Sequence, residues 1–300
     1  MQIELLITKL NEVFNNRELA LVIWVFVVII LLFKNGKMRS SLFDVLKAAL
    51  NIKLIVLYIL MMLYTTLIVY GLYFVGFWEI FLLKDTIIWF IFTAIISVFR
   101  AIDKADDLTY FKVIIKDNIK FILLFEFIVN FYTFSLPIEL ILVPVLFFVT
   151  IFVSFLDIMP EYQDEKYVPV KKFFNFINII LGIYIVLNSI ILAINDLNNL
   201  QTIDTLKSLL LPSILSLLFM GFIYFFVLWS AYEQIFIRIK FGEKKSKRLI
   251  AYAKLKILLA CNINFNKAKR FWRSSGLRII SIKNKADVIE VIKHFSNKEV

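Results

Sequence analysis

Residues 121–156 read FILLFEFIVNFYTFSLPIELILVPVLFFVTIFVSFL, an apolar run of 36 residues that contains no lysine or arginine. As one α-helix the run would extend about 54 Å, whereas the hydrocarbon core of a bilayer is about 30 Å thick. Pro137 disfavours helical geometry at the residue before it and lacks a backbone donor, so the run is expected to turn near 135–137. The run therefore predicts either two membrane crossings or a re-entrant hairpin.

The rest of the chain also requires an apolar solvent. Hydrophobic residues make up 61% of its 300 residues, charged residues make up 19%, and the mean hydropathy is +0.85. Soluble domains contain roughly 45–50% apolar residues. The apolar segments are continuous and do not alternate with period two, a pattern that excludes a β-barrel. We predict an all-α polytopic transmembrane bundle of about seven spans, at 19–33, 54–77, 86–99, 121–136, 138–156, 173–194 and 209–232.

The positive charges are distributed unevenly over the connecting segments. Alternate connectors together hold 30 Lys and Arg on one side of the predicted membrane and 4 on the other. Cytoplasmic loops carry the excess of basic residues, so this pattern predicts an external N-terminus and a cytoplasmic C-terminus. Residues 233–300 alone carry a net charge of +12, against −1 for the preceding 232 residues. We therefore divide the chain into a transmembrane domain, 1–232, and a basic cytoplasmic region, 233–300.

Two connectors have the pattern of short amphipathic helices. Residues 41–50 begin with Ser41 and Asp44, which resembles a capping box and predicts a helix start at Ser41. Residues 103–120 begin with aspartates and continue with lysines spaced four residues apart. Arg17 and Glu18, before the first span, are expected to extend towards the membrane surface. Both connectors are interpreted as surface helices, and 103–120 alternatively as an extension of the fourth span.

The basic C-terminal region is predicted to be small and mostly helical. Its pattern indicates helices at 233–241, 247–261, 266–274 and 286–295, and a short strand-like run at 277–282. Basic clusters of this kind attract anionic headgroups. We expect anionic lipid headgroups or an acidic cytoplasmic protein as the partner, in preference to nucleic acid. The candidate binding residues are Lys244, Lys245, Lys247, Arg248, Lys267, Lys269, Arg270 and Arg273.

Ionisable and amide side chains inside predicted spans form the candidate intramembrane polar site. Charged groups near the bilayer centre cost at least ~2.5–3.5 kcal/mol on insertion scales, so they suggest function. Glu126 lies several residues into the fourth span, and Asn130 follows on the same helical face. Glu139 is expected at the outer interface, where a carboxylate costs little. Asn178 is explained by an interhelical hydrogen bond or by a polar pore lining.

The sequence offers no pattern typical of an enzyme. It lacks the phosphate-binding, dinucleotide-binding, zinc-protease and serine-hydrolase motifs. One cysteine and one histidine cannot form a His/Cys metal cluster. We therefore expect no catalytic residue, metal or cofactor.

Two stretches carry a family resemblance: 63–100, which contains LLKDTIIWF at 82–90, and FEFIVNFYTF at 125–134. They resemble an uncharacterised family of multi-pass bacterial membrane proteins with no settled function. The resemblance covers roughly the first five spans and implies the bacterial inner membrane. It assigns no role to individual residues.

These observations predict a non-enzymatic membrane protein, expected to be a homo-oligomer, that forms a small ion-permeable path or perturbs the membrane. Its basic region would bind a partner or signal. One alternative is a secondary transporter of a small ion or solute that uses Glu126. The other is a membrane anchor or scaffold for a cytoplasmic protein.

Overall fold

The computed structural model describes residues 14–105, 107–117, 122–162, 164–196, 202–241, 245–275 and 277–296. Within these ranges the chain is almost entirely helical and contains no β-strand, which confirms the all-α prediction. The described residues form thirteen α-helices: α1 (Asn16–Lys34), α2 (Gly36–Ala49), α3 (Ile52–Phe74), α4 (Leu83–Trp89), α5 (Ile95–Lys104), α6 (Thr109–Asp117), α7 (Ile122–Phe131), α8 (Leu136–Ile158), α9 (Val168–Asn195), α10 (Ile203–Lys240), α11 (Lys247–Cys261), α12 (Phe265–Ser275) and α13 (Lys285–Ser296).

Six helical stretches in the described chain are long and apolar enough to cross a membrane. They are α1, α3, the combined stretch Ile80–Ile102, α8, the stretch Glu165–Asn195 that contains α9, and α10. Large apolar side chains on them point outward, such as Phe74 at 82% exposure and Phe92 at 66%. Such exposure is costly in water and favourable in lipid, so these helices define a multi-pass membrane protein.

The run at 121–156 forms two helices joined by a turn. Residues 132–135 are non-helical, Ser135 precedes α8, and Pro137 lies in the first turn of that helix. Proline is tolerated there because the first-turn N–H groups have no intrahelical partner. The predicted turn is thus confirmed. The described part of the predicted fourth span, α7, contains only ten residues.

The predicted third span is a composite helix. A 3₁₀ turn at Ile80–Leu82 leads into α4, a π-helical turn follows at Phe90–Ala94, and α5 continues to Lys104. The π turn inserts an i→i+5 spacing into the hydrogen-bond ladder. Trp89 immediately before it is 3% exposed, and its Nε1 donates to Ser216 Oγ at 2.9 Å.

Helix starts differ from the prediction at two places. Asn15 and Glu18 form a capping box at the start of α1, so Glu18 caps the helix rather than extending to the membrane surface. Asn35 accepts from the amides of Lys37 and Met38 and caps α2. The predicted start at Ser41 is wrong, because Ser41 lies inside α2 and bonds back to the Lys37 carbonyl.

The chain divides into two compact units. Unit 1 contains residues 1–57 and 121–210, and unit 2 contains residues 58–120 and 211–300. In unit 1, α1 packs along α8, and both helices begin at the same end, where Arg17 bonds to Glu139. The two helices are therefore parallel. Helix α9 packs against α7 and α8, and its last turns lie at this same end, where the Tyr132 hydroxyl bonds to Asp196.

In unit 2, the first part of α10 packs against α3 and α4. The Tyr64 hydroxyl donates to the Leu218 carbonyl, and the Trp89 ring meets the Phe219 ring edge to face at 5.5 Å. Gly221 makes this close approach possible, because a Cβ there would lie 2.7 Å from the Tyr64 hydroxyl oxygen. Buried aromatic and aliphatic side chains therefore join these three helices.

The second part of α10 packs against a C-terminal module, which we define as residues 245–296. The Tyr232 hydroxyl donates to the Asn262 carbonyl, and the Arg238 guanidinium lies 4.5 Å above the Trp272 ring. Within the module, α11, α12 and α13 pack on one another. Their apolar core includes Ala253, Ile257, Phe265, Phe271 and Phe295.

The module largely follows its predicted pattern. Helix α10 ends at Lys240, and α11, α12 and α13 match the ranges predicted for them to within one residue. The strand-like run at 277–282 is wrong, since residues Arg278–Ser281 form a 3₁₀ turn. Ile279 and Ile282 are both buried there, and a period-two pattern cannot distinguish such a turn from a strand.

Candidate functional site

A buried ion pair joins α1 to α8. The Arg17 guanidinium donates from Nε and Nη2 to the two carboxylate oxygens of Glu139, at 3.1 and 3.0 Å. Glu139 is fully buried and also accepts from the Phe134 amide, while Arg17 Nη1 donates to the Val129 carbonyl. The carboxylate is therefore enclosed by protein, and its position at the depth of the outer interface stays a prediction.

Further polar bonds surround this pair. Asn15 Nδ2 donates to the Asn130 carbonyl, Asn16 Nδ2 to the Phe134 carbonyl, and Trp24 Nε1 to the Leu140 carbonyl, at 2.8 to 2.9 Å. These side chains satisfy carbonyls at the end of α7, in the turn that follows it and near the start of α8. The bond from Asn15 is exposed, and the other two are part-buried. The arrangement therefore fastens the 121–156 hairpin to the start of α1.

The predicted intramembrane residues do not form one described site. The side chain of Glu126 lies outside the described residues, although its backbone belongs to α7. The Asn130 side chain is exposed. Asn178 lies eleven residues before Ser189, which bonds to the Tyr132 carbonyl near Glu139. Those eleven residues place Asn178 about 16 Å along α9 from that level, so Glu139 and Asn178 are separate.

Asn178 itself has an unusual environment. Its Oδ1 atom is buried and has no hydrogen-bond partner among the described residues. Leaving a buried polar atom unsatisfied costs about 1–3 kcal/mol. A water molecule or a cation is the natural ligand of such an oxygen.

The predicted basic residues fall into separate groups. Lys244 lies outside the described residues, and Lys245 donates from Nζ to the carbonyls of Phe241 and Ile280. Lys247 and Arg248 are exposed in the first turn of α11. The remaining four, Lys267, Lys269, Arg270 and Arg273, belong to α12.

Three of the α12 cations line a cavity of about 430 Å³. Lys269, Arg270 and Arg273 share its wall with Asn264, Asn266 and Asp107. The Thr109 hydroxyl and amide both donate to Asp107, and these bonds hold the pKa of that carboxyl below its usual value. The cavity is thus lined by three cations, each of which has an interaction partner, and by two amides and one carboxylate that accept backbone hydrogen bonds.

Sequence reasoning missed three residues of this cavity. Asp107, Asn264 and Asn266 were not predicted as site residues. The only sequence signal for Asp107 and Asn264 was their suitability for helix starts, where Asn264 accepts from the Lys267 amide. Asn266 accepts from the Leu108 amide at 3.1 Å, a contact across 158 residues that no local pattern indicates.

The described residues contain no group of three or more His, Cys, Asp or Glu that could hold a metal ion. Cys261 is fully buried in α11.

The fold and these polar groups define a multi-pass α-helical membrane protein with a helical, basic module at the end of its last long helix. The chain matches no protein-family model, and it has no significant similarity to a curated protein or a solved structure. The family resemblance of 63–100 and 125–134 therefore stays a prediction.

Proposed function

We propose that this chain is a non-enzymatic protein of the bacterial cytoplasmic membrane that regulates a small ion-permeable path. Its basic module, in the cytoplasm, receives an anionic lipid headgroup or an acidic protein. Helix α10 transmits that event to the transmembrane helices. Glu126 and Asn178 are the candidate ligands of the path.

One observation carries the proposal: α10 is a single helix of 38 residues. Such a helix is about 57 Å long, nearly twice the thickness of a hydrocarbon core. Its first part packs against α3 and α4 through Leu218 and Ser216, and its second part contacts the module through Tyr232 and Arg238. A continuous helix transmits displacement, so events at the module act directly on the membrane helices it contacts.

The orientation rests on charge together with one contact. The connector 100–120 holds five Lys and Arg, and the C-terminal region 233–300 holds 17. Described residues of these two segments pack on each other. The Leu108 amide bonds to Asn266, and the Phe111 ring meets the Phe265 ring at 6.3 Å. Their proximity favours one membrane face for both, as the positive-inside pattern requires. The Phe111 side chain is buried and packs on protein through this contact with Phe265.

The parallel arrangement of α1 and α8 supports the proposed number of crossings. Between the start of α1 and residue 103 the chain contains three apolar stretches that are long enough to cross a membrane: α1, α3 and Ile80–Ile102. If each crosses once, residue 103 lies on the face opposite the start of α1. Because α8 begins at the same face as α1, residues 103–135 must return across the membrane. This parity argument supports seven crossings over a re-entrant hairpin.

The test is ion flux in proteoliposomes that contain either phosphatidylcholine alone or phosphatidylcholine with phosphatidylglycerol. We expect wild-type protein to conduct above the level of empty vesicles and to respond to the anionic lipid. A Tyr232→Phe, Arg238→Met double variant removes two bonds between α10 and the module. It should retain basal flux and lose the lipid response.

Tyr70→Phe is the matched control, because Tyr70 lies in α3 and is 66% exposed. Flux no greater than that of empty vesicles would exclude the permeable path and favour the membrane anchor. An unchanged lipid response in the double variant would contradict transmission through α10.

A further inference from the structure

The cavity beside α12 has the composition of an anion site. Asn266, Lys269, Arg270 and Arg273 follow one another at helical spacing, so they form one stripe along α12. Asp107 lies on the connector opposite them. Arginine presents planar, paired donors that match phosphate oxygens, and lysine adds a point charge.

The packing of α12 directs these side chains into the cavity. The opposite face of the helix carries Phe265, Ala268 and Phe271, each fully buried in the module core. Burial of that face fixes the rotation of the helix about its axis. The Lys269 side chain is half-buried, and its Nζ lies 5.8 Å from the Phe265 ring centre.

The other wall of the cavity is also held in place. The Leu108 amide donates to Asn266 Oδ1, and the bonds from Thr109 orient the Asp107 carboxylate. Phe111, one turn further on, packs against the rings of Tyr224 and Phe265. The backbone of both walls therefore keeps its position through packing within unit 2, and Asp107, Arg270 and Arg273 extend from it as exposed side chains.

The position of the cavity along the chain indicates its ligand. Asp107 follows the end of the membrane-crossing stretch, Ile102, by only five residues. Connectors that emerge from a span at this point lie at the depth of lipid headgroups. An anion that carries a phosphate group and approaches from the bilayer can therefore reach the α12 cations.

We propose that the cavity lined by Asp107, Asn266, Lys269, Arg270 and Arg273 binds a phosphate-bearing anion, supplied by the headgroup of an anionic phospholipid. This inference rests on the proposed role of the module as the part that receives an anionic signal. Arg270 and Arg273 bind the phosphate oxygens, and Lys269 adds charge. Asp107 limits affinity by repulsion, so the ligand is held reversibly.

The test measures binding to the purified full-length protein in a neutral detergent. The three probes are short-chain phosphatidylglycerol, phosphatidylcholine with the same acyl chains, and inorganic phosphate. We expect wild-type protein to bind phosphatidylglycerol about tenfold more tightly than phosphatidylcholine, because only the former has a net charge. An Arg270→Gln, Arg273→Gln double variant should lose that preference.

Arg278→Gln, Lys285→Gln is the matched control. It removes the same number of charges from the module, at exposed positions outside the cavity. The control should keep the preference for phosphatidylglycerol. Protection of the buried Cys261 thiol from a maleimide verifies that each variant retains the module fold. Equal losses in the two double variants, with the fold retained, would overturn the site in favour of diffuse charge attraction.

Asp107→Asn gives an independent test with a predicted sign. If the cavity binds an anion, removal of the carboxylate charge should tighten phosphatidylglycerol binding several-fold. If Asp107 serves only to neutralise the arginines, the substitution should lower the melting temperature without tightening binding, and the proposal fails.

The probes also separate the two sources of phosphate. Binding of phosphatidylglycerol alone supports a headgroup ligand. Equal binding of inorganic phosphate, abolished by the arginine double variant, supports the same site with a soluble ligand. Binding is measured without flux, so failure of the lipid site in this test does not decide the ion-path proposal. Failure of the flux test likewise does not decide the lipid site.

Discussion

The carboxylate of Glu139 is fully buried and is held at both oxygens by the guanidinium of Arg17, which is itself only 16% exposed. The two residues are 122 positions apart and lie in the first turns of two parallel helices. A pair of this geometry has satisfied donors and acceptors on both sides. It fixes the register of α8 against α1 at one end of unit 1.

Removal of one partner should be strongly destabilising. Glu139→Gln leaves the Arg17 charge enclosed without its counter-ion, which costs about 3–5 kcal/mol. An Arg17→Met, Glu139→Leu double variant removes both charges and should recover most of that loss. Unfolding by SDS in mixed micelles measures the stability of the single and the double variant. Glu161→Gln, at an exposed position, is the control and should change stability by less than about 0.5 kcal/mol. The coupling would be contradicted if Arg17→Met and Glu139→Leu, each made alone, lowered stability by amounts that add up to the effect of the double variant.

The effect of Gly221→Ala on the stability of the protein should change sign with the residue at position 64. In the wild-type background the new Cβ meets the Tyr64 hydroxyl at 2.7 Å, and the resulting displacement should destabilise the protein by about 1–2 kcal/mol. In a Tyr64→Phe background the obstructing oxygen is absent, so the helical preference for alanine should stabilise it by up to about 1 kcal/mol.

The control for this pair is Gly182→Ala in α9, where a Cβ would meet no atom within 4 Å. That substitution should be stabilising in both backgrounds. The same SDS unfolding assay gives all the values. A Gly221→Ala effect that has the same sign with Tyr64 and with Phe at position 64 would show that the close approach does not govern the packing of α3 on α10.

The turn at 132–135 should be accessible from outside the cell. In a Cys261→Ala background, a cysteine introduced as Ser135→Cys should react with a membrane-impermeant thiol reagent added to intact cells. Glu161→Cys, in the connector between α8 and α9, should react only after the cells are opened. Labelling of both positions from the same side would refute a crossing by α8, and labelling of Ser135→Cys only in opened cells would favour the re-entrant hairpin.

Glu126→Gln should separate a conducting role from a structural one. Gln keeps the shape and most of the hydrogen-bonding capacity of the side chain but removes its charge. If Glu126 lines the ion path, flux in proteoliposomes should fall while abundance and unfolding stay close to wild type. A joint loss of abundance and flux would instead indicate a partner cation for Glu126, as for Glu139. No change in any of these would remove Glu126 from the proposed path.

The candidate sites were predictable in their chemistry but not in their partners. Glu139 is one of the candidate polar residues, but the sequence predicts an interfacial carboxylate of little cost. Its burial depends on Arg17, which the sequence predicts to extend towards the membrane surface. The α12 cations were recognised from their density, and their helix was predicted to within one residue. Asp107 and Asn266, which complete the cavity, are ordinary polar residues until the connector and α12 are brought together.

The sequence by itself determined the membrane class, the approximate ends of the long helices and the uneven distribution of charge. These properties are sums over adjacent residues: apolar length sets whether a helix can cross, and local capping groups and proline set where it turns. Only the tertiary structure decided that α1 and α8 are parallel, that Glu139 bonds to Arg17, and that α10 contacts both membrane helices and the module. Those contacts join residues far apart in the chain, and they depend on which helical faces pack together, a choice that hydropathy does not encode when nearly every face is apolar.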